Sequence, residues 1–338
     1  MNKISLHSII LVALVPICFV CDLLFGSVHI PFNTFIDVIQ GNLEGSLWQN
    51  IIFNLRLPRA TSALLVGMAL PISGLLMQTL FRNPLADPYV LGVSTGASLG
   101  VALFTLAGGL SLGIFSSLSG SVGLALAALA GSSIIIFIIL AIAPKMNDTA
   151  SLLIIGIMFG SITSAIVSVL QYFSNPNEVH AFVLWTMGSF ANIDKTELLL
   201  MACCIIPTVL ATLFIHKPLD ALLLGENYAR GLGIKTSQLR FVVIVFSAIL
   251  ASITTAFAGP IGFIGMTVPH IARFLFHTTS HKRLIINSLL IGINLMLVCD
   301  IISQLPGMQA MLPINTVTAI FGAPIVIFVI YRGKRNIQ

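Results

Sequence analysis

The stretch ISLHSIILVALVPICFVCDLLF, residues 4–25, decides the fold class. It is apolar on every helical face, where a water-facing helix keeps a polar stripe. Its length matches the ~20 residues that carry an α-helix across hydrocarbon. GSSIIIFIILAIA at 131–143 reads the same way. A membrane β-barrel would instead alternate apolar and polar residues over segments of about ten. Working outward, further apolar spans fall near 59–80, 89–107, 121–143, 151–173, 196–215, 239–258, 260–276, 284–304 and 315–331. The expectation is an all-α integral membrane protein of about ten transmembrane helices, one transmembrane domain over 1–338 without a soluble domain. Composition agrees: 57% of residues are hydrophobic and 8% charged, against roughly 25% charged in a soluble domain.

The net charge of +5 carries no argument for nucleic acid, because the basic residues sort by loop. With the first span entering from inside, 13 of the 16 Lys and Arg residues fall at cytoplasmic ends, leaving Arg56, Arg59 and Lys195 outside. That is the positive-inside pattern, and it predicts both termini in the cytoplasm. The first apolar run is too long for a signal-peptide core and is expected to remain as a helix. Cys18, Cys21, Cys203, Cys204 and Cys299 lie in or beside apolar spans and read as packing residues.

Polar segments interrupt the spans at 26–58, 174–197 and 216–240. The first two hold short amphipathic stretches, Phe32–Ile39 and Val179–Phe190, with Trp48 and Trp185 as interfacial anchors. Gly and Pro break two apolar stretches about half the chain apart: NPLADPYVLGVSTGAS at 83–98 and AGPIGFIGMTVPH at 258–270. The breaks follow helices of opposite direction, as two inverted five-helix halves require.

Catalytic signatures are missing. Asp22, Asp87, Asp300 and Arg273 sit near span ends and form no mid-membrane carboxylate pair of the kind ion-coupled carriers use. His277 and His281 have metal-ligand spacing but flank Lys282 and Arg283, which reads as a solvated basic turn. GLGIKTS at 231–237 lacks the spacing of a phosphate loop. Any ATP must therefore be bound by another polypeptide that this chain contacts mechanically. PLDALLLGENYARGLGIKT at 218–236 fits such a contact. Leu219, Leu222 and Leu223 form an apolar side, Glu226 and Arg230 stand one helical turn apart, and Gly225, Gly231 and Gly233 permit reversals. Two short helices projecting from the bilayer are expected there.

RLPR at 56–59, LLVGMALPISGLLMQTLFRNPLADPYVLGVSTGAS at 64–98, the LDALLLGENYARGLGI segment, AGPIGFIGMTVPHIAR at 258–273 and LPINTVTAIFGAP at 312–324 together resemble the permease family of iron-siderophore, haem and vitamin B12 ABC importers. The resemblance implies a bacterial inner-membrane protein working with a second permease subunit, as homodimer or paralogue pair, two ATPase subunits and a soluble or lipid-anchored binding protein. It implies a non-catalytic subunit with no metal site or cofactor of its own, ATP and Mg being held by the ATPase. By the same resemblance, Leu219, Asp220, Gly225, Glu226, Ala229, Arg230 and Gly233 belong to a coupling helix pair. Arg56 and Arg59 face outward and dock carboxylates of the binding protein, and Gln304 replaces a further docking arginine of the family. Asn83 and Leu85 close a cytoplasmic gate together with Asp148 and Thr149. Helices five and ten line the path, with Gly156, Gly160, Ser161 and Ser164 on its wall. The cargo reading is an iron(III)-siderophore, with vitamin B12 or haem as alternatives by the same mechanism.

Overall fold

A computed structural model describes residues 3–335 apart from 27, 29, 44, 107–120, 144–145, 147–148 and 305–310. The described residues form helices and no strand. In chain order these are α1 (Lys3–Leu24), α2 (Phe32–Ile39), α3 (Leu47–Asn50), which runs through a π-helical turn (Ile51–Arg56) into α4 (Leu57–Phe81), a 3₁₀ turn (Pro88–Leu91), α5 (Val93–Thr105), α6 (Ser121–Ile142), α7 (Thr149–Phe173), α8 (Pro176–Thr186), α9 (Lys195–Thr212), α10 (His216–Leu223), α11 (Glu226–Gly231), α12 (Thr236–Ala258), α13 (Ile264–Phe276), α14 (His281–Ser303) and α15 (Ile314–Arg335). Seven of the ten expected spans are helices long and apolar enough to cross a bilayer. The other three coincide with the shorter apolar helices α5, α13 and residues 314–328 of α15.

Almost wholly buried, α4 is the core of the bundle, packed among α14, α12, α13 and α9. The two halves are related by a local pseudo-twofold, visible where α4 crosses α12. Ser73 Oγ donates to the Ser247 carbonyl at 2.9 Å, Ser247 Oγ donates back to the Ser73 carbonyl at 3.3 Å, and the hydroxyls lie 2.7 Å apart. Packing follows the same relation: α4 lies on α13 and α14 as α12 lies on α5 and α6.

The two breaks explain why α5 and α13 are short. Thirteen residues of helix span only about 20 Å, less than the ~30 Å hydrocarbon core. Each helix instead begins inside the bundle, after a non-helical segment has carried the chain back to mid-depth. Gly265, at the start of α13, lies against Leu70 and Gly74 of α4 and against Pro88 of the first break. Non-helical backbone at that depth is tolerated only when protein groups satisfy it. Tyr89 of the first break supplies such a group to the second: its hydroxyl accepts from the Ile261 amide at 3.3 Å. Asn315 Oδ1 accepts from Gly262 at 3.0 Å.

Close crossings use residues without bulk, because apolar lipid offers no hydrophobic drive to pack helices and backbones gain by approaching. A Cβ on Gly74 would stand 1.9 Å from the Gly265 carbonyl oxygen, and one on Gly292 would stand 2.1 Å from that of Gly67. Gly74→Ala is therefore expected to lower the melting midpoint in detergent sharply. Gly231→Ala, whose Cβ position has open space, leaves it near wild type. Comparing the two melting curves checks this.

Candidate functional site

At the end of the molecule where α4, α6 and α13 finish, α10 and α11 project as a compact pair. Leu219, Leu222 and Ala229 are buried and fix the pair to the bundle. Leu224, Tyr228 and Leu232 are 68%, 53% and 59% exposed and face away. The single apolar side expected of Leu219, Leu222 and Leu223 is thus divided: Leu219 and Leu222 are buried against the bundle, whereas Leu223 is exposed. Gly225, Arg230 and Gly233 belong to the presented side, whereas Leu219 and Ala229 are anchors.

Two polar clamps hold this projection. Asp220 Oδ1 accepts from the backbone N–H of His281, the first residue of α14, and lies 2.7 Å from both that nitrogen and the ring Nδ1. His281 Nε2 lies 2.8 Å from Thr79 Oγ1 in the last turns of α4. At the second clamp Glu226 accepts from Arg240 of α12 at 2.6 Å and pairs more loosely with Arg230 at 3.6 Å. Arg240 also donates to the Met146 carbonyl, 3.1 Å away, in the segment between α6 and α7. His281 thereby corrects the solvated-turn reading: it is buried, while Lys282, Arg283 and His277 are exposed. Neither His281 nor Arg240 was singled out among the site residues. The available signal was a polar residue near the start of an apolar helix, with two carboxylates, Asp220 and Glu226, in the projecting segment.

The neighbouring turn carries the gate candidates. Asn83 Oδ1 accepts from the Leu85 amide at 2.9 Å, and Leu85 is exposed. His270 of α13 lies 2.6 Å from the Pro84 carbonyl, and Arg273 donates to Gln78 of α4 at 2.6 Å. Asp148 lies outside the described residues, and Thr149 is the first residue of α7. Asp87 caps the following 3₁₀ turn by accepting from the Tyr89 amide at 3.0 Å. Burial pushes its carboxyl up to about 6, against the opposing pull of that amide.

On α7, Gly156 is buried against the Val90 carbonyl, Gly160 is half-buried, and Ser161 and Ser164 are exposed beside Ile157, Met158 and Ile162. α15 presents Ile320, Phe321 and Ile327 in the same way. Both helices named as path-lining thus carry an unpartnered, largely apolar face.

The opposite end holds the two RLPR arginines, whose side chains are turned into the chain. Arg56 and Arg59 are only 7% and 8% exposed. Arg59 donates from Nε and Nη2 to Asp300, the shortest contacts 2.8 Å, and to Ser303 at 2.9 Å. Arg56 donates to the carbonyls of Leu23 and Leu24, both at 2.7 Å, and to that of Val28, closing the end of α1. Gln304 bridges Asp22 at 2.9 Å and Asp300 at 3.1 Å. Burial drives the arrangement: a guanidinium withdrawn from water is retained only where carboxylates or carbonyls replace its hydration. Asp22 and Asp300, 278 positions apart by subtraction of their numbers, come together here, a juxtaposition their placement near span ends did not reveal.

Seven helices long and apolar enough to cross a bilayer and three shorter apolar ones, with a two-helix projection at one end, define a multi-pass membrane protein. The FecCD transport family matches residues 13–332, and the chain belongs to it: it is the permease subunit of an ABC importer, a non-catalytic transport component. The vitamin B12 import system permease protein BtuC of Escherichia coli O9:H4 (strain HS) is 38% identical over 284 residues, 84% of each chain. That of Escherichia coli O6:H1 (strain CFT073) is 38% identical over 298 residues, 88% of this chain and 89% of the relative. A solved inward-facing conformation of a metal-chelate type ABC transporter superposes with a TM-score of 0.84 at 30% identity, covering 97% of this chain and 99% of that one.

Two measurements test the geometry. Arg59→Met strands Asp300 without its partner and is expected to cost about 3 to 5 kcal/mol, much of it restored by adding Asp300→Leu; melting the single and double variants in detergent checks this. Because Asp87 holds its proton more tightly in the folded state, its stabilising contribution is present at low pH and fades as pH rises from about 4 through about 6. Asp87→Asn keeps the capping acceptor. Its melting midpoint is expected above wild type near pH 7.5, with the gap narrowing below pH 6 and closing near pH 4.

Proposed function

We propose that this subunit moves a metal chelate inward across the bacterial inner membrane, driven by ATPase subunits that grip α10 and α11. The observation that carries this reading is the divided projection: buried anchors and two polar clamps on one side, exposed Leu224, Tyr228, Leu232 and Arg230 on the other. A lever of this kind transmits force only if it is stiff where it joins the bundle and free where it is gripped. Both termini then lie in the cytoplasm on the side of α10 and α11, in keeping with the basic residues gathered there. The exposed faces of α7 and α15 suit a second permease subunit and a path of little charge. Cargo choice then falls to a soluble or lipid-anchored binding protein. Arg56 and Arg59 are assigned to holding the outer rim rather than to direct docking, since their hydrogen bonds are made within the chain.

Two cargo readings stand. The chelate class as a whole supports an iron(III)-siderophore, and the 38% identity to vitamin B12 permeases supports a corrinoid. Uptake of radiolabelled ferric siderophores and cobalamin into proteoliposomes, with this subunit, its ATPase and its binding protein, separates them: one cargo is expected to enter, and only with ATP inside. Gradient-driven uptake without ATP overturns the importer reading. Arg230→Glu is expected to weaken retention of the ATPase on affinity purification roughly tenfold, as loss of an interfacial arginine does, with membrane insertion intact.

A further inference from the structure

His281 occupies a position that its sequence neighbours conceal. It opens α14, is 1% exposed, and its flat ring fills the space where α10, α14 and α4 meet. One edge of the ring meets Asp220 of α10 and the other meets Thr79 of α4, at 2.7 and 2.8 Å. The carboxylate only accepts, so Nδ1 carries the hydrogen facing Asp220, while Nε2 lies in hydrogen-bond distance of the Thr79 hydroxyl, which also reaches the Leu75 carbonyl at 2.8 Å. The same Asp220 oxygen also takes the His281 backbone N–H at the helix start, where the helix dipole favours an anion.

We propose that His281 is a positioning residue for transport, linking displacement of α10 to α14 and to the Asn83–Leu85 turn at the end of α4 through its bonds to Asp220 and Thr79. The inference rests on reading α10 and α11 as the element the ATPase grips. Its physical basis is the difference between apolar packing and a hydrogen-bonded link. Leu219 and Leu222 transmit a push, but apolar surfaces slide or part under a pull. A pair of directional bonds in a dry site resists separation as well as compression. The ring is short and has two rotatable bonds, so little motion is lost between its ends. Thr79 stands two residues before the end of α4 and four before Asn83, so movement of α10 reaches the gate turn through the last residues of the helix and its cap.

The two bonds can be cut separately. His281→Asn keeps a donor near the Nδ1 position and the backbone N–H to Asp220, but cannot reach Thr79. Thr79→Val removes the same bond from the other side. His281→Ala removes both side-chain bonds. The complete importer, with ATPase and binding protein, is reconstituted in proteoliposomes, and the cargo that wild type accepts, radiolabelled cobalamin or ferric siderophore, is counted per ATP hydrolysed. In all three variants the ATPase is expected to remain bound and ATP to be hydrolysed, while cargo per ATP falls roughly tenfold, within the range seen for residues along coupling networks. A wild-type ratio in His281→Asn and Thr79→Val overturns the proposal. So does loss of folded yield or of ATPase binding in all three, which assigns His281 to assembly alone. If the wild-type ATPase is retained equally well after Leu224→Asp and Arg230→Glu, the coupling reading itself fails; an unchanged ratio with ATPase binding intact removes only the role of His281.

Discussion

Backbone that leaves the helix inside a hydrocarbon-facing bundle must find its hydrogen bonds within the protein, and the architecture is organised around meeting that demand twice. Each half of the chain returns to mid-depth through a Gly- and Pro-rich segment before starting a short helix. The segments lie against each other, so each helps satisfy or cover the other: the Tyr89 hydroxyl takes the Ile261 amide, and Pro88 packs on Gly265. Neither break is stable alone in an apolar setting. The inverted symmetry is therefore a physical requirement of the core as well as a relation between halves, and the reciprocal Ser73–Ser247 bonds mark its axis.

The two ends use charge differently. At the end opposite α10, Arg56, Arg59, Asp22 and Asp300 are withdrawn together, and the neutral Gln304 bridges the two acidic side chains. An arginine at 304 would add a third cation to this buried cluster without adding an acidic partner. At the α10 end two of the polar pairs, Glu226–Arg240 and Asp220–His281, join separate helices and leave their carboxylates part-exposed, so they set the placement of α10 and α11 against α12 and α14 rather than seal a rim.

Much of the fold was legible because hydropathy is a sum over many residues. The ten spans, the two breaks and the projecting pair each draw on a dozen or more positions, and errors at single residues average out. The site was legible only to the level of segments. That 218–236 projects follows from its composition, but which leucines anchor it depends on helix phase to within a residue: Leu222 is buried and Leu224, two positions on, faces water. Pairings were harder still. Arg59 finds Asp300 across 241 positions, and His281 finds Asp220 across 61. Residue type states what partner a side chain needs and says nothing of which distant partner the packing brings. His281 was hidden further by Lys282 and Arg283, whose exposure says little about a neighbour about 100° around the helix.

The exposed leucines and tyrosine of α10 and α11 bear on the life of the subunit before it works. They stand outside the apolar helices that lipid can cover, on short helices held rigidly in place, so unassembled protein carries a greasy, immovable patch into water. Such a patch invites chaperones, proteases or self-association until a cognate surface covers it. On the coupling role proposed for α10 and α11, the ATPase is that cognate surface, and its supply sets how long the patch stays uncovered.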